Sequence, residues 1–317
     1  MTKYGYTLSS EEHPPERLVA LAGRAEEVGF DFLTLSDHFH PWTTRQGQSP
    51  FAWSVLGAVA QVTSRVDVLT AVTCPLIRMH PALVAQAAAT TARLFQGRFQ
   101  LGLGSGENLN EHILGDAWPA ARVRLEMLEE AIAVIRALWE GETVVHRGRY
   151  YVVDEAKLFT LPEKSPPILV AASGSVSATL AAEEGDGLVG VAPDADLLKA
   201  FRHAGGRDKP RFGQVTVCHG ADASEARRTV LEWWPNTGLP GDLAWEVKST
   251  ALFDAAVKLV DEEDVENVPC GPDPGAFVEA VRRYEEAGYD HIFLHQVGPG
   301  QEAFLDFVQG ELLPKLR

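Results

Sequence analysis

The chain has 317 residues, 45% of them hydrophobic, three cysteines and a formal net charge of −16. That length suits one α/β barrel with insertions, and the charge excludes nucleic acid and anionic membrane as partners, since both select a basic face. Apolar runs stop short of membrane-spanning length, and Cys74, Cys218 and Cys270 show neither a pairing pattern nor metal-ligand spacing, so we expect free thiols in a cytoplasmic protein that begins without a leader.

Strand-like runs fall at residues 4–8, 30–35, 66–72, 99–103, 168–172, 187–191, 213–218 and 291–297. Helical patterns lie between them at 15–28, 51–63, 81–95, 122–140, 178–184 and 274–287. Continuous apolar strands alternating with amphipathic helices predict a parallel sheet covered on both faces. Eight such strands predict a (β/α)8 TIM barrel, one domain over 1–317. An internal echo supports repeated units: Glu26-Glu27-Val28-Gly29-Phe30-Asp31 returns as Glu285-Glu286-Ala287-Gly288-Tyr289-Asp290. Each glycine is a left-handed helix stop before the next strand, with looser versions at Gly97 and Gly185. Two stretches exceed a bare barrel. Residues 143–167 predict a hairpin and loop around Arg147-Gly148-Arg149, and 233–268 predicts a lid; both are expected over the carboxyl ends of the strands.

Three segments carry chemistry. The second strand runs into Ser36-Asp37-His38-Phe39-His40-Pro41-Trp42, and Pro41 stops it there. At the carboxyl end of a barrel strand an imidazole is well placed to take a proton near neutral pH, and Trp42 can exclude water or stack. After the fourth strand, Gly102-Leu103-Gly104-Ser105-Gly106-Glu107-Asn108-Leu109-Asn110 lacks the spacing of a dinucleotide fingerprint. Its glycines, Gly106 included, let a flat ligand approach the backbone, while Glu107 and Asn110 face the cavity of His38 and Glu107 serves as a general acid. After the fifth strand, Ala171-Ala172-Ser173-Gly174 leads into a helix start with free amides suited to a phosphodiester.

Together SDHFHPW, TAVTCP, GLGSGENLNEHILG, AASGS and the C-terminal CGPDP and AGYDHIFLHQVGP segments resemble the luciferase-like superfamily. Within it they resemble the oxidoreductases that use the deazaflavin coenzyme F420, such as the F420-dependent glucose-6-phosphate dehydrogenases. The resemblance implies a barrel that binds F420 at its carboxyl face, acts on a small-molecule substrate and forms a homodimer. It implies that Asp37 contacts the cofactor, His38 is the catalytic base, Trp42 lines the substrate side and Glu107 is the acid near the ring. It further implies a non-prolyl cis peptide at Ala71-Val72 behind the ring, with Asn110 and Ala171, Ala172, Ser173 and Gly174 along the ring and phosphate tail. Where the sugar-phosphate enzymes carry lysines, this chain has Val191-Ala192-Pro193-Asp194-Ala195-Asp196 and Asp254. Carboxylates there repel a phosphate dianion, so an uncharged alcohol, sugar or ketone is expected rather than glucose-6-phosphate. The alternatives are an FMN-dependent monooxygenase on the same fold, a carrier that keeps the cofactor without its chemistry, and a metal-dependent hydrolase built on His38, His40, His219 and His295. The last has its His-x-His after the wrong strand and no terminal Asp, so no metal is expected.

Overall fold

Every strand-like run becomes a stave of one closed barrel in the computed structural model, which describes residues 1–317. In chain order the strands are β1 (Lys3–Leu8), β2 (Phe32–Leu35), β3 (Asp67–Thr70), β4 (Phe99–Leu103), β5 (Val144–Arg147), β6 (Val152–Ala156), β7 (Ile168–Ala171), β8 (Gly187–Gly190), β9 (Arg211–His219), β10 (Cys270–Gly271) and β11 (His291–Gln296). The parallel sheet runs β9-β11-β1-β2-β3-β4-β7-β8, and a β8–β9 pairing closes it into eight staves. Above the end of β8 the short β10 takes over the same edge of β9, pairing Cys270 with Cys218 and Gly271 with His219. This two-residue strand has no sequence signature and was not foreseen. Nor were the helices Ala195–Phe201, Ala223–Trp233 and Gln301–Phe307.

Burial explains why the staves read as unbroken apolar runs. Phe32, Leu69, Leu169, Val189, Phe212 and Phe293 fill the inside of the barrel, with Phe32 edge-on to Phe212 at 5.3 Å between ring centroids. A larger shell of buried side chains, including Leu33, Val68, Leu101 and Val170, packs outward against the helices. Both faces of each strand are therefore dry, which removes the polar alternation of a half-exposed sheet.

The repeated joint behaves as its glycine requires. Gly29 and Gly288 adopt φ of 103° and 113°, the left-handed region, and end helices Pro15–Val28 and Pro274–Ala287. At Gly185 no such φ occurs; there a side chain would stand 2.7 Å from the carbonyl of Ala181. The antiparallel β5–β6 hairpin forms inside the expected 143–167 insertion. It packs against helix Ala121–Trp139 through Glu130, which accepts from the backbone of Arg149, Tyr150 and Tyr151. The 233–268 insertion folds into short turns of helix over 235–238, 243–246 and 250–256.

Glu26 ties the first helix to the entry of β3. Its carboxylate accepts from the backbone N–H of Ser64 at 3.0 Å, Arg65 at 2.6 Å and Val66 at 2.9 Å. Burial works to raise this carboxyl, but the three N–H groups outweigh it and hold the group below its ordinary 4.5. The folded state thus binds fewer protons than the unfolded one. The contribution is present above that ordinary value and is lost as pH falls toward the folded one. Glu26→Gln is expected to cost about 1–3 kcal/mol at pH 7 and distinctly less at about pH 3, where the wild type has lost most of the same benefit. Urea unfolding at both pH values measures this; an equal difference at the two would contradict it.

Candidate active site

The loops at the carboxyl ends of the staves enclose a cavity of about 350 Å3, within the size range of small-molecule sites. Its lining brings together His38, Trp42, Glu107, Ala71, Val72, Gly106, Ala171, Ala172 and Ser173. The Ala71–Val72 peptide bond is cis. Gly106 has φ of 72°, and a side chain there would stand 2.5 Å from the sulfur of Cys74. That close approach, rather than ligand contact alone, demands glycine.

The register of the sheet sets the next contact. Leu8 of β1 lies beside Leu35 of β2, so the loops leaving these strands run together. The first, Ser9-Ser10-Glu11-Glu12-His13, is buried throughout. Glu11 Oε1 faces His38 Nε2 at 3.4 Å, and Glu11 Oε2 accepts from the hydroxyls of Ser36 at 2.6 Å and Ser9 at 3.2 Å. Burial pushes the Glu11 carboxyl up, but the His38 imidazole and the Ser36 hydroxyl overcome it and hold the group below its usual value. Sequence reasoning missed Glu11. The rule that singled out Asp37-His38, polar residues just past a barrel strand, applies equally to Ser9-Ser10-Glu11-Glu12. The His38 ring also meets Trp42 at 5.0 Å between centroids, and Trp42 leans on Phe253 of the insertion at 5.3 Å.

Asp37 and Asn110 take places different from those expected; neither lines the cavity. Asp37 is occupied behind the wall, accepting from Arg78 at 2.9 Å and from Thr73 at 2.8 Å. Asn110 Oδ1 accepts from the backbone N–H of Phe39 at 2.9 Å and His40 at 3.2 Å. Its Nδ2 then points at His38 Nδ1, 3.1 Å away, and at Glu107 Oε2, 3.3 Å away. The two N–H groups settle which end of the amide is oxygen. One side chain therefore fixes the His38 loop and touches both functional groups. Beside it Cys74 is buried, and burial followed by the charges of Glu111 and Glu107 pushes its thiol well above the ordinary range.

Other expectations are redistributed. Gly174 lies outside the cavity, in an adjoining groove between the starts of helices Ala121–Trp139 and Ser175–Glu183. The amides of Ser173 and Gly174 are not free: both donate to the Ser177 hydroxyl at 3.2 Å. Asp194 caps helix Ala195–Phe201 and Asp254 accepts from Thr44 at 2.9 Å, so neither reaches the cavity. Its carboxylates are instead Glu11, Glu107, Asp242 and Glu246, with Arg124 the one arginine and no lysine in the lining. The insertion contributes Trp234, Asp242, Trp245 and Glu246 to that lining, whereas the 143–167 hairpin contributes nothing. The His38-Phe39-His40 pair splits: His40 bonds to the Leu109 carbonyl at 3.0 Å and stacks on His112. No three His, Cys, Asp or Glu side chains cluster as metal ligands would.

Residues 1–291 match the family described as luciferase-like monooxygenase. The chain is 40% identical to the F420-dependent hydroxymycolic acid dehydrogenase of Mycobacterium tuberculosis, covering 99% of this chain and 88% of that protein. It is 36% identical to the F420-dependent glucose-6-phosphate dehydrogenase of Amycolatopsis mediterranei, covering 100% and 99%. Among solved structures, an F420-dependent secondary alcohol dehydrogenase in complex with an F420-acetone adduct superposes with a TM-score of 0.93 at 30% identity, covering 100% and 99%.

The role of Asn110 as a clamp is directly testable. Asn110→Ala strands two backbone N–H groups and is expected to cost about 1–3 kcal/mol, with amide exchange at Phe39 and His40 accelerated at least tenfold. Hydrogen exchange read by NMR checks this, and unchanged exchange at those two amides would show that the loop is held by something else.

Proposed function

Because the chain belongs to the luciferase-like monooxygenase family, we propose that it is an F420-dependent dehydrogenase or reductase, moving hydride between a deazaflavin and the carbinol or carbonyl carbon of a small molecule. The observation that carries this reading is the convergence of His38 and Glu107 on one cavity, with the Asn110 amide reaching both. The residues present fit a deazaflavin. Ala71, Val72, Gly104, Ser105, Ala171 and Ala172 present small side chains to the cavity, leaving room for a wide planar ring, and a groove continues from the cavity past Ser173 and Ser177. These residues would hold the group, and when bound it supplies the hydride acceptor or donor.

The protein side of the reaction is proton management. His38 is the general base that takes the hydroxyl proton of an alcohol, or returns it to a carbonyl oxygen in reverse. Glu11 is positioned to meet the positive charge that then develops on the ring, as a fixed negative partner in a site of low dielectric. Glu107, with Oε2 held by Asn110, is the carboxyl able to give or take the second proton. Trp42, Trp234 and Trp245 wall the substrate from water.

Substrate charge follows from the lining. Four carboxylates face one guanidinium, and Arg124 is already committed to the Pro119 carbonyl at 2.6 Å and stacks over Trp118. A phosphate dianion is disfavoured there, so the reading is an uncharged alcohol, sugar or ketone rather than glucose-6-phosphate. The 233–268 segment acts as the lid of a single barrel domain. The same reading includes a cytoplasmic homodimer. It is supported by three cysteines that remain thiols and by exposed apolar side chains such as Leu83, Val145, Val152 and Phe159, the kind of surface a second copy covers.

Absorbance titrations with F420 and with FMN, followed by an alcohol and ketone screen that includes glucose-6-phosphate, test the assignment; selective FMN binding would reverse it. His38→Ala is expected to bind F420 as the wild type does while kcat falls by about 10²–10⁴. Wild-type turnover by that variant would remove His38 from the mechanism.

A further inference from the structure

The cavity holds a second imidazole that the chemistry above does not use. β1 has two neighbours, β2 and β11, and the loop leaving β1 places consecutive glutamates between them. Glu11 turns to His38 on the β2 side. Glu12 turns to His295 on β11, with Oε2 at 3.2 Å from His295 Nε2. The other oxygen of Glu12 accepts from the backbone N–H of Gly298 at 2.7 Å, so the carboxylate is anchored before it meets the ring.

An ionised carboxylate only accepts, so the contact puts the ring proton on Nε2 and leaves Nδ1 of the neutral imidazole as a bare acceptor. That Nδ1 has no hydrogen-bond partner in the protein. His295 is 1% exposed, yet it belongs to the lining of the same cavity as His38. Trp234, from the insertion, stands edge-on to it at 4.4 Å between centroids. A buried acceptor oriented by an anchored carboxylate and left unpaired is unfavourable unless a ligand donor completes it. Thr7 and Gln214 add further polar groups to this lining.

We propose that His295 is a substrate-binding residue that accepts a hydrogen bond at Nδ1 from a second hydroxyl, and that the substrate is an uncharged diol or polyol rather than a simple secondary alcohol. The proposal rests on the reading of the site as an alcohol and carbonyl oxidoreductase, and it names the substrate class of that site. His38 serves the hydroxyl that reacts; His295 serves one that does not. Loss of the second hydroxyl leaves the acceptor unpaired, which is the arrangement that discriminates most sharply against a deficient analogue.

The test compares isopropanol, propylene glycol and glycerol on the F420-loaded wild type. Each carries a secondary carbinol, and only the last two carry a neighbouring hydroxyl. The wild type is expected to favour the better of the two by at least about tenfold in kcat/KM. In His295→Phe that gap is expected to collapse toward unity, and in His295→Asn, which keeps an acceptor at the δ position, to survive in part. A wild type that treats the three alike, or a Phe variant that keeps the gap, overturns the proposal. Deazaflavin binding, followed by absorbance, confirms that each variant is folded, and its failure in the wild type would condemn the underlying reading instead. A readout independent of turnover uses 15N-histidine-labelled protein. Glycerol is expected to move the Nδ1 resonance of His295 and isopropanol to leave it in place; no movement with glycerol at saturation also overturns the proposal.

Discussion

A carboxylate taken out of water must be met by donors before any ligand arrives, and Glu11 satisfies that demand with Ser36 on one oxygen and His38 facing the other. The penalty for leaving such a group unpaired is several times what a good partner returns, so the contact fixes the imidazole as firmly as it fixes the acid. The neighbouring staves make it possible. The register that pairs Leu8 with Leu35 brings the two loops within reach of each other. The geometry of the mouth thus descends from strand pairing through one carboxylate–imidazole contact to the ring that handles a proton.

The wall behind the cavity is as ordered as the lining. Arg78 lies between Asp37 and Glu111, at 2.9 Å from the first and 3.6 Å from the second. Glu111 Oε2 also accepts from the backbone of Ile77 and Arg78. This lattice joins the segments after β2, β3 and β4, and Asn110 binds it to the His38 loop. Functional side chains held this way lose little orientation when a ligand binds. The apolar residues at the same level have a complementary task, since Trp42 and Phe253 join the insertion to the barrel without adding a charge.

Much of this was legible in the sequence, and the parts that were not share a cause. Staves buried on both faces read as unbroken apolar runs, so all eight were visible, and the glycine joints at Gly29 and Gly288 marked two of their boundaries. His38, Trp42 and Glu107 were visible because they follow such runs directly. Asp37 was legible as important but not in its place, because its partners Thr73 and Arg78 lie 36 and 41 residues away along the chain and nothing local announces them. Glu11 and Glu12 were overlooked because Ser9-Ser10-Glu11-Glu12 resembles a solvated loop; only the closed barrel shows it to be dry. β10 escaped because two residues carry no periodicity. Asp194 and Asp254 misled for the opposite reason: an acid has an obvious sign, but its direction is decided by whichever backbone N–H it caps.

The brief β10 also bears on how this scaffold diversifies. It hands the chain back to the edge of β9 just above the point where β8 stops, so the insertion departs from one secured position and returns to another. A segment moored at both ends can be exchanged for one of different length or composition while the staves, the imidazoles and their glutamates stay where they are. The barrel thus keeps its proton-handling residues on the staves and their loops, and gives Trp234, Asp242, Trp245 and Glu246 of the mouth to a tethered segment.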